Sequence, residues 1–300
     1  MNAQLPNKFT AESDDREPVS AFVVCYNEEA NISDCLKSLS FCDEIVVIDS
    51  FSKDRTVEIC RQLGAKVIQR PWPGYKEQKA FGLATCSHEW IINLDADERV
   101  SDELRENVLR VLREERRRKL ETANCPTEEI NGYSVNRVVY YLGRWWRRGG
   151  WYPEYRVRFL RKSKTVWGGI DPHEKPIVDG RIAQLPGEIL HFTYRSMEDQ
   201  LQRLQNFAAV AAREDHKRGR RSNLFLLLVN PFLRTFKFYI LKKGYREGTA
   251  GLIVSVFEGY YTFMKYAKLW EHELRESSGQ EETVASSSTT SAAASEHSSR

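Results

Sequence analysis

From Val19 onward, short apolar runs alternate with stretches of helical periodicity. VSAFVVC (19–25), EIVVID (44–49), KVIQ (66–69) and WIINLD (90–95) are short, continuously apolar and rich in β-branched residues, the pattern of strands buried on both faces. Between them, Asn31 precedes Ile32, Cys35, Leu36 and Leu39 at helical spacing. Ser52 or Asp54 precedes Val57, Ile59, Cys60 and Leu63, a run that stops at Gly64. The order βαβαβ predicts an α/β fold with a mostly parallel sheet and right-handed crossovers. A helix is expected from Ser101 to about Lys119, further strands between Ile130 and Leu160, and another helix from Ser196 to about Arg213.

In such sheets ligands bind beyond the carboxyl ends of the strands. Those positions are polar here: Tyr26, Asn27 and Glu28 after the first strand, Asp49, Ser50 and Ser52 after the second, and Asp95, Ala96, Asp97 and Glu98 after the fourth. Neither GxGxxG nor GxxxxGK[ST] occurs among them, which argues against a dinucleotide site or a P-loop. Asp95 and Asp97, two residues apart at a strand end, are hard oxygen donors suited to Mg²⁺ or Mn²⁺ bridging to a diphosphate. Alone, this pair fits a turn or a helix cap better; with polar clusters at two neighbouring strand ends, a nucleotide-diphosphate site explains it better.

Composition changes the picture at the chain's second half. Over 300 residues, 45 Lys and Arg against 42 Asp and Glu leave a net charge of +3, too balanced for a nucleic-acid-binding protein. The basic residues are instead local. Arg144 to Lys164 holds eight against one acid, Glu154, and Lys217 to Arg246 holds nine and no acid, interleaved with Phe225, Phe232, Phe236, Phe238 and Tyr239. The second stretch reads either as a helix in an anionic membrane interface or as a hairpin packed on the sheet domain. No apolar run approaches the roughly 18 residues of a membrane span and no export signal opens the chain, so a cytoplasmic location, peripheral on the membrane, is expected. The six cysteines (25, 35, 42, 60, 86, 125) form no CxxC pair and read as small core residues.

CYNEE (25–29), VVIDSFSKDRT (46–56) and EQKAFGLATCSHEWIINLDADE (77–98), in this order and spacing, resemble the successive motifs of family 2 glycosyltransferases with the GT-A fold. YRVRFLRKSKTVWGGIDPHEKP (155–176) and PFLRTFKFYILKKGYREGTAGL (231–252) are similar to the bacterial branch containing lipopolysaccharide core β-1,4-glucosyltransferases. The resemblance implies that Tyr26, Asn27 and Glu28 contact the nucleotide. It also implies that Asp49 recognises the uracil or its surroundings, that Asp97 ligates the metal, and that Asp95 lies near ribose or metal. Ser50 stands where many relatives carry a second acid. Lys79 falls near the donor in the family, or is a solvated helix side chain.

Displacement at an anomeric carbon needs a base for the acceptor hydroxyl. Asp171, His173 and Glu174, in a loop flanked by Gly168, Gly169, Pro172 and Pro176, are the candidates; the resemblance favours Glu174, and Asp171 stays open. Arg156 and Arg158, alternating with Val157 and Phe159 on a strand, are expected to share a face toward a diphosphate or an acidic acceptor. The expected organisation is a flexible extension (1–17), a GT-A domain (18–195), a C-terminal helical region (196–276) and a disordered tail (277–300).

The reading is an inverting, metal-dependent hexosyltransferase. It is expected to move a hexose, glucose by the resemblance, from a UDP-sugar to a lipopolysaccharide-core-like glycan or lipid-linked acceptor. A polyprenyl phosphate or an exopolysaccharide intermediate is the neighbouring acceptor choice. A nucleotidyltransferase would release pyrophosphate rather than UDP. A non-catalytic membrane adaptor would leave the polar strand ends without a purpose.

Overall fold

The computed structural model describes residues 15–121, 129–169 and 174–278. These form two compact units. One holds the described residues through Arg147 together with Trp151–Thr193, and the other holds Arg148–Gly150 and the described residues from Tyr194 onward.

The first unit is built on a nine-stranded mixed sheet. Strands β1 (Val19–Cys25), β2 (Glu44–Asp49), β3 (Lys66–Gln69) and β4 (Trp90–Asp95) are the four apolar runs of the sequence. They lie parallel in the order β3-β2-β1-β4. Helices α1 (Ile32–Ser38), α2 (Thr56–Gln62), α3 (Tyr75–Thr85) and α4 (Asp102–Glu121) cover this sheet. On one face Val19, Val23 and Ile92 pack with Ile32, Leu36, Val108 and Leu112. On the other, Phe22, Ile48 and Ile91 pack with Leu83, Leu160 and Trp167. Burial on both faces is why these strands read as unbroken apolar runs. At Gly82 of α3 a Cβ atom would stand 2.6 Å from the Phe22 ring, so the missing side chain is what lets helix and strand close.

The remaining strands are β5 (Glu98–Val100), β6 (Ile130–Tyr141), β7 (Arg144–Trp146), β8 (Glu154–Arg161), β9 (Thr165–Gly168), β10 (Lys175–Val178) and β11 (Arg181–His191). β8 runs antiparallel to β4, and β6 antiparallel to β8, while β11 runs parallel to β6. The directions therefore bring the start of β8 and the end of β11 to the edge where β1, β2 and β4 end. β9 and β10 form a separate two-stranded ribbon.

Two expectations are corrected here. The extension does not run free to residue 17: Arg16 is buried and pairs with Asp43 at 2.8 Å, and buried Glu17 pairs with Lys119 at 2.6 Å. Ser52 does not cap α2 either, whose first residue is Thr56, although Asp54 serves that end, its Oδ1 accepting from Thr56 N at 3.0 Å. Both side chains are also used between loops, as described below. Cys25, Cys35, Cys42, Cys60 and Cys86 are buried free thiols, and burial pushes their pKa values up, to about 12 for Cys60 and Cys86, so they are inert core residues. Cys125 lies outside the described residues, as do most of the N-terminal extension and of the serine-rich tail.

The second unit is helical: α5 (Met197–Lys217), α6 (Leu224–Phe236) and α7 (Gly248–Ser277). Ser196 caps α5 by accepting from Asp199 N at 3.1 Å, and Asn223 caps α6 by accepting from Leu226 N at 2.8 Å. A π-turn over Lys237–Leu241 extends α6, so Leu224–Leu241 is an 18-residue helical run. That run is long and apolar enough, by length and composition, to cross a membrane, contrary to the expectation that none comes close. Asn230 and Arg234 do not interrupt it, because they satisfy their polar groups on α7.

Candidate active site

The loops after β1 and β2 are stitched together before any ligand arrives. Asn27, at φ 54°, accepts from Lys53 N through its side chain at 2.8 Å, and its own N–H donates to Ser52 Oγ at 2.9 Å. Glu28 N donates to Thr56 Oγ1 at 2.8 Å, and Glu29 N donates to Asp54 Oδ2 at 3.0 Å. Asp49 anchors this stitching. It is fully buried, and its carboxylate accepts from Ser52 N at 2.9 Å, from Ser52 Oγ and from Gln69 Nε2 at 3.0 Å. In this arrangement Asp49 shapes the loop that would receive a base and presents no free oxygen to it. Tyr26, by contrast, is half exposed at the tip of the first loop.

After β4 the two aspartates part company. Both oxygens of Asp95 are already paired, Oδ1 with Lys79 Nζ at 3.0 Å and Oδ2 with Arg158 Nη2 at 3.0 Å. Burial opposes ionisation of Asp95, yet the Lys79 ammonium and the Arg158 guanidinium outweigh it and hold the carboxyl well below the usual carboxylate range. Asp97 faces elsewhere. Its Oδ2 lies 3.3 Å from Nε2 of His191, the last residue of β11, and both side chains are about nine-tenths buried. Thr193 Oγ1 stands 2.7 Å from Nδ1 and 3.1 Å from Nε2 of that imidazole.

Lys79 is no solvated helix side chain. It is buried, and Nζ also pairs with Glu174 Oε1 at 3.0 Å, while Glu174 Oε2 is buried with no hydrogen-bond partner among the described residues. From Glu174 an unbroken series of alternating charges crosses the sheet edge. Lys79 and Asp95 lead to Arg158, which pairs with Glu98 at 2.6 Å, and Glu98 pairs with Arg137 at 3.3 Å. Arg137 pairs with Glu154 at 2.7 Å, and Glu154 with Arg156 at 2.5 Å. Fully buried Glu98 also accepts from Asp95 N at 3.0 Å, which fixes the turn between the two aspartates. Such a network is costly to break at any one member, because the partner is left buried and unpaired.

The two arginines expected to act together are separated. Tyr133 faces Phe159 and Ser134 faces Val157, so Arg158 is the extra residue of a β-bulge. A bulge re-aims its side chain. Arg158 is consequently buried among carboxylates, whereas Arg156 is half exposed and paired with Glu154. Of the three base candidates, Asp171 and His173 lie outside the described residues.

The sequence reading missed His191 and Arg137 and gave Glu98, though named at a strand end, no role. Each stands where a strand reaches this edge, but only strand directions reveal that. His191 closes the apolar-to-polar transition ILHFT (189–193), which is the signal that was available.

The donor set bears on a divalent cation. Among the described residues no three His, Cys, Asp or Glu groups converge as a metal site. Asp97 and His191 do offer a carboxylate oxygen and an imidazole nitrogen at the separation expected of neighbouring ligands on one ion, whose bonds are about 2.1 Å long. The residues fit a cation held by two protein donors, with its other positions left to water and phosphate oxygens. Asp95 fits it less well, since both its oxygens are taken.

The family model described as Glycosyl transferase family 2 matches residues 20–168. Over 266 residues the chain is 29% identical to the lipopolysaccharide core biosynthesis glycosyltransferase LpsC of Rhizobium meliloti, with 86% of this chain and 94% of that protein covered. It is 26% identical to an uncharacterized glycosyltransferase of Rickettsia typhi, covering 86% and 88%. Among solved structures, residues 1–349 of S. aureus TarS in complex with UDP-GlcNAc align over 88% of this chain and 92% of that one, at 16% identity and a TM-score of 0.42. The motif order, the parallel half-sheet with its acidic strand ends and the family match agree: residues 20–168 are a family 2 glycosyltransferase domain, and the chain is a glycosyltransferase.

Proposed function

We propose that the protein transfers a hexose, with inversion, from a UDP-sugar to a hydroxyl of a lipopolysaccharide-core-like glycan. The observation that carries this reading is the pairing of Asp97 with His191 beside the Glu174–Lys79–Asp95 series at one sheet edge. Uridine as the base rests on the resemblance of the CYNEE and VVIDSFSKDRT motifs. Glucose and the core-type acceptor rest on the resemblance of the later segments, with similarity to LpsC in support.

Asp97 and His191 would hold the cation, which when bound would neutralise charge on the departing diphosphate. A mixed oxygen and nitrogen donor pair suits Mn²⁺ better than Mg²⁺, which is usually held by oxygen ligands alone. Glu174 Oε2, buried and without a partner among the described residues, is an acceptor available to the attacking hydroxyl. It takes the proton as the new C–O bond forms and the anomeric carbon's bond to phosphate breaks. Lys79 holds the other oxygen of Glu174 and keeps the carboxylate oriented. Asp95 in turn positions Lys79.

The test is UDP release from a panel of UDP-sugars with Mn²⁺, Mg²⁺ or EDTA. Release that EDTA abolishes, that one sugar dominates and that Asp97→Ala removes is the expected result. Glu174→Gln should bind donor normally and lose transfer. Metal-independent release, or full activity in Glu174→Gln, would overturn the assignments.

A further inference from the structure

The helical unit carries a surface that neither the donor site nor its chemistry uses. Along Leu224–Leu241, Leu224, Phe225, Leu228, Phe232, Phe236 and Ile240 are 41–71% exposed. Their spacing places them on one side of a helix. The opposite side is committed to α7. A Cβ on Gly259 of α7 would meet Thr235 Oγ1 at 2.1 Å and the Pro231 carbonyl at 2.9 Å, so the two helices touch backbone to side chain there. Arg234 pairs with Glu258 at 2.8 Å, and Asn230 donates to the Tyr266 hydroxyl at 3.2 Å. The exposed aromatic and aliphatic side is therefore a fixed face rather than a loose segment.

Charge identifies what fits it. Arg218, Arg220 and Arg221 precede the face, Arg220 paired with Asp215 and Arg221 with Glu276, Lys237 lies within the run, and Lys242, Lys243 and Arg246 follow it, all exposed, with no acid in the sequence between Lys217 and Arg246. A second copy would set two such basic rims against each other. An anionic bilayer offers the complement at both levels: phosphate headgroups for the rims and acyl chains for the stripe.

We infer that the face of Leu224–Leu241 seats in the interface of an anionic membrane, with the helix lying in the plane over its length of about 27 Å. A crossing orientation is disfavoured because α7, joined to this run through Glu258 and Tyr266, would have to enter with it and carries Lys265, Lys268 and Glu271. This inference stands on the helical unit alone and is independent of the donor and acceptor.

The experiment is flotation of the full chain with phosphatidylglycerol-containing vesicles and with pure phosphatidylcholine vesicles, at low and high salt. Binding to the anionic vesicles that weakens with salt, and little binding to the neutral ones, is expected. Phe232→Glu and Leu228→Glu should each weaken binding by about tenfold or more. Lys242→Glu with Lys243→Glu should weaken it by about 30-fold or more. All of these variants should melt like the parent, since the side chains are exposed. Equal binding to both vesicle types, no effect of the face variants, or self-association that the face variants abolish would overturn the inference. So would retention in membranes after alkaline carbonate extraction, which reports a span.

Discussion

Replacing Lys79 with methionine keeps the volume of the side chain and removes its charge. The ammonium stands 3.0 Å from Asp95 Oδ1 and 3.0 Å from Glu174 Oε1, with about a tenth of the side chain exposed. Asp95 keeps Arg158, but among the described residues Glu174 keeps no ion pair. Removing one partner of a buried pair costs about 3–5 kcal/mol, because the remaining charge is stranded. Taking the lower end, since Asp95 remains paired, Lys79→Met should cost about 3 kcal/mol. At the size of the first unit that lowers its melting temperature by roughly 6–12 °C. Adding Glu174→Gln removes the stranded carboxylate and should return about 1–2 kcal/mol, so the double variant melts above Lys79→Met. Thermal unfolding followed by tryptophan fluorescence, where buried Trp90 reports the sheet, measures both. A loss below about 1 kcal/mol, or a double variant no more stable than the single one, would refute the buried bridge between the two carboxylates.

Other outcomes follow from the same geometry. The pKa of Asp95 is depressed in the folded chain, so the stability it contributes is fully present above its ordinary value of 3.8 and is lost only as pH falls through its lowered one. Urea unfolding of the parent minus that of Asp95→Asn should therefore be flat from pH 8 to 5 and shrink well below pH 4; a difference that shrinks between pH 6 and 5 contradicts this. His191→Ala should weaken Mn²⁺ binding, read by paramagnetic resonance of the free ion, by tenfold or more, with Thr193→Val having a smaller effect. Gly82→Ala should cost about 1–3 kcal/mol in unfolding, because the new Cβ meets the Phe22 ring at 2.6 Å.

Much of the first half-sheet was legible because its physics is local. Strands buried on both faces must be apolar throughout, so β1, β2 and β4 announce themselves, and the polar residues where they end are visible as interruptions. The parallel order follows from the helices between them, and the candidate residues Asp95 and Asp97 follow from strand ends. The roles of those residues were not legible in the same way. Asp49 and Asp95 look alike in sequence to Asp97, each an acid at a strand end. What distinguishes them is who arrives from elsewhere in the chain: Ser52 and Gln69 for Asp49, Lys79 and Arg158 for Asp95, His191 for Asp97.

By itself, then, the sequence determined the α/β class, the position of the acidic edge, the family resemblance and the two basic stretches, since each depends on residue type and spacing along the chain. Only the tertiary structure decided that Arg158 turns inward while Arg156 stays out, because a bulge is a mismatch between two strands and neither strand alone records it. The structure alone likewise brought His191 beside Asp97 and buried Lys79 between two carboxylates. Those neighbours are set by strand direction and sheet order, which join residues that the chain keeps far apart.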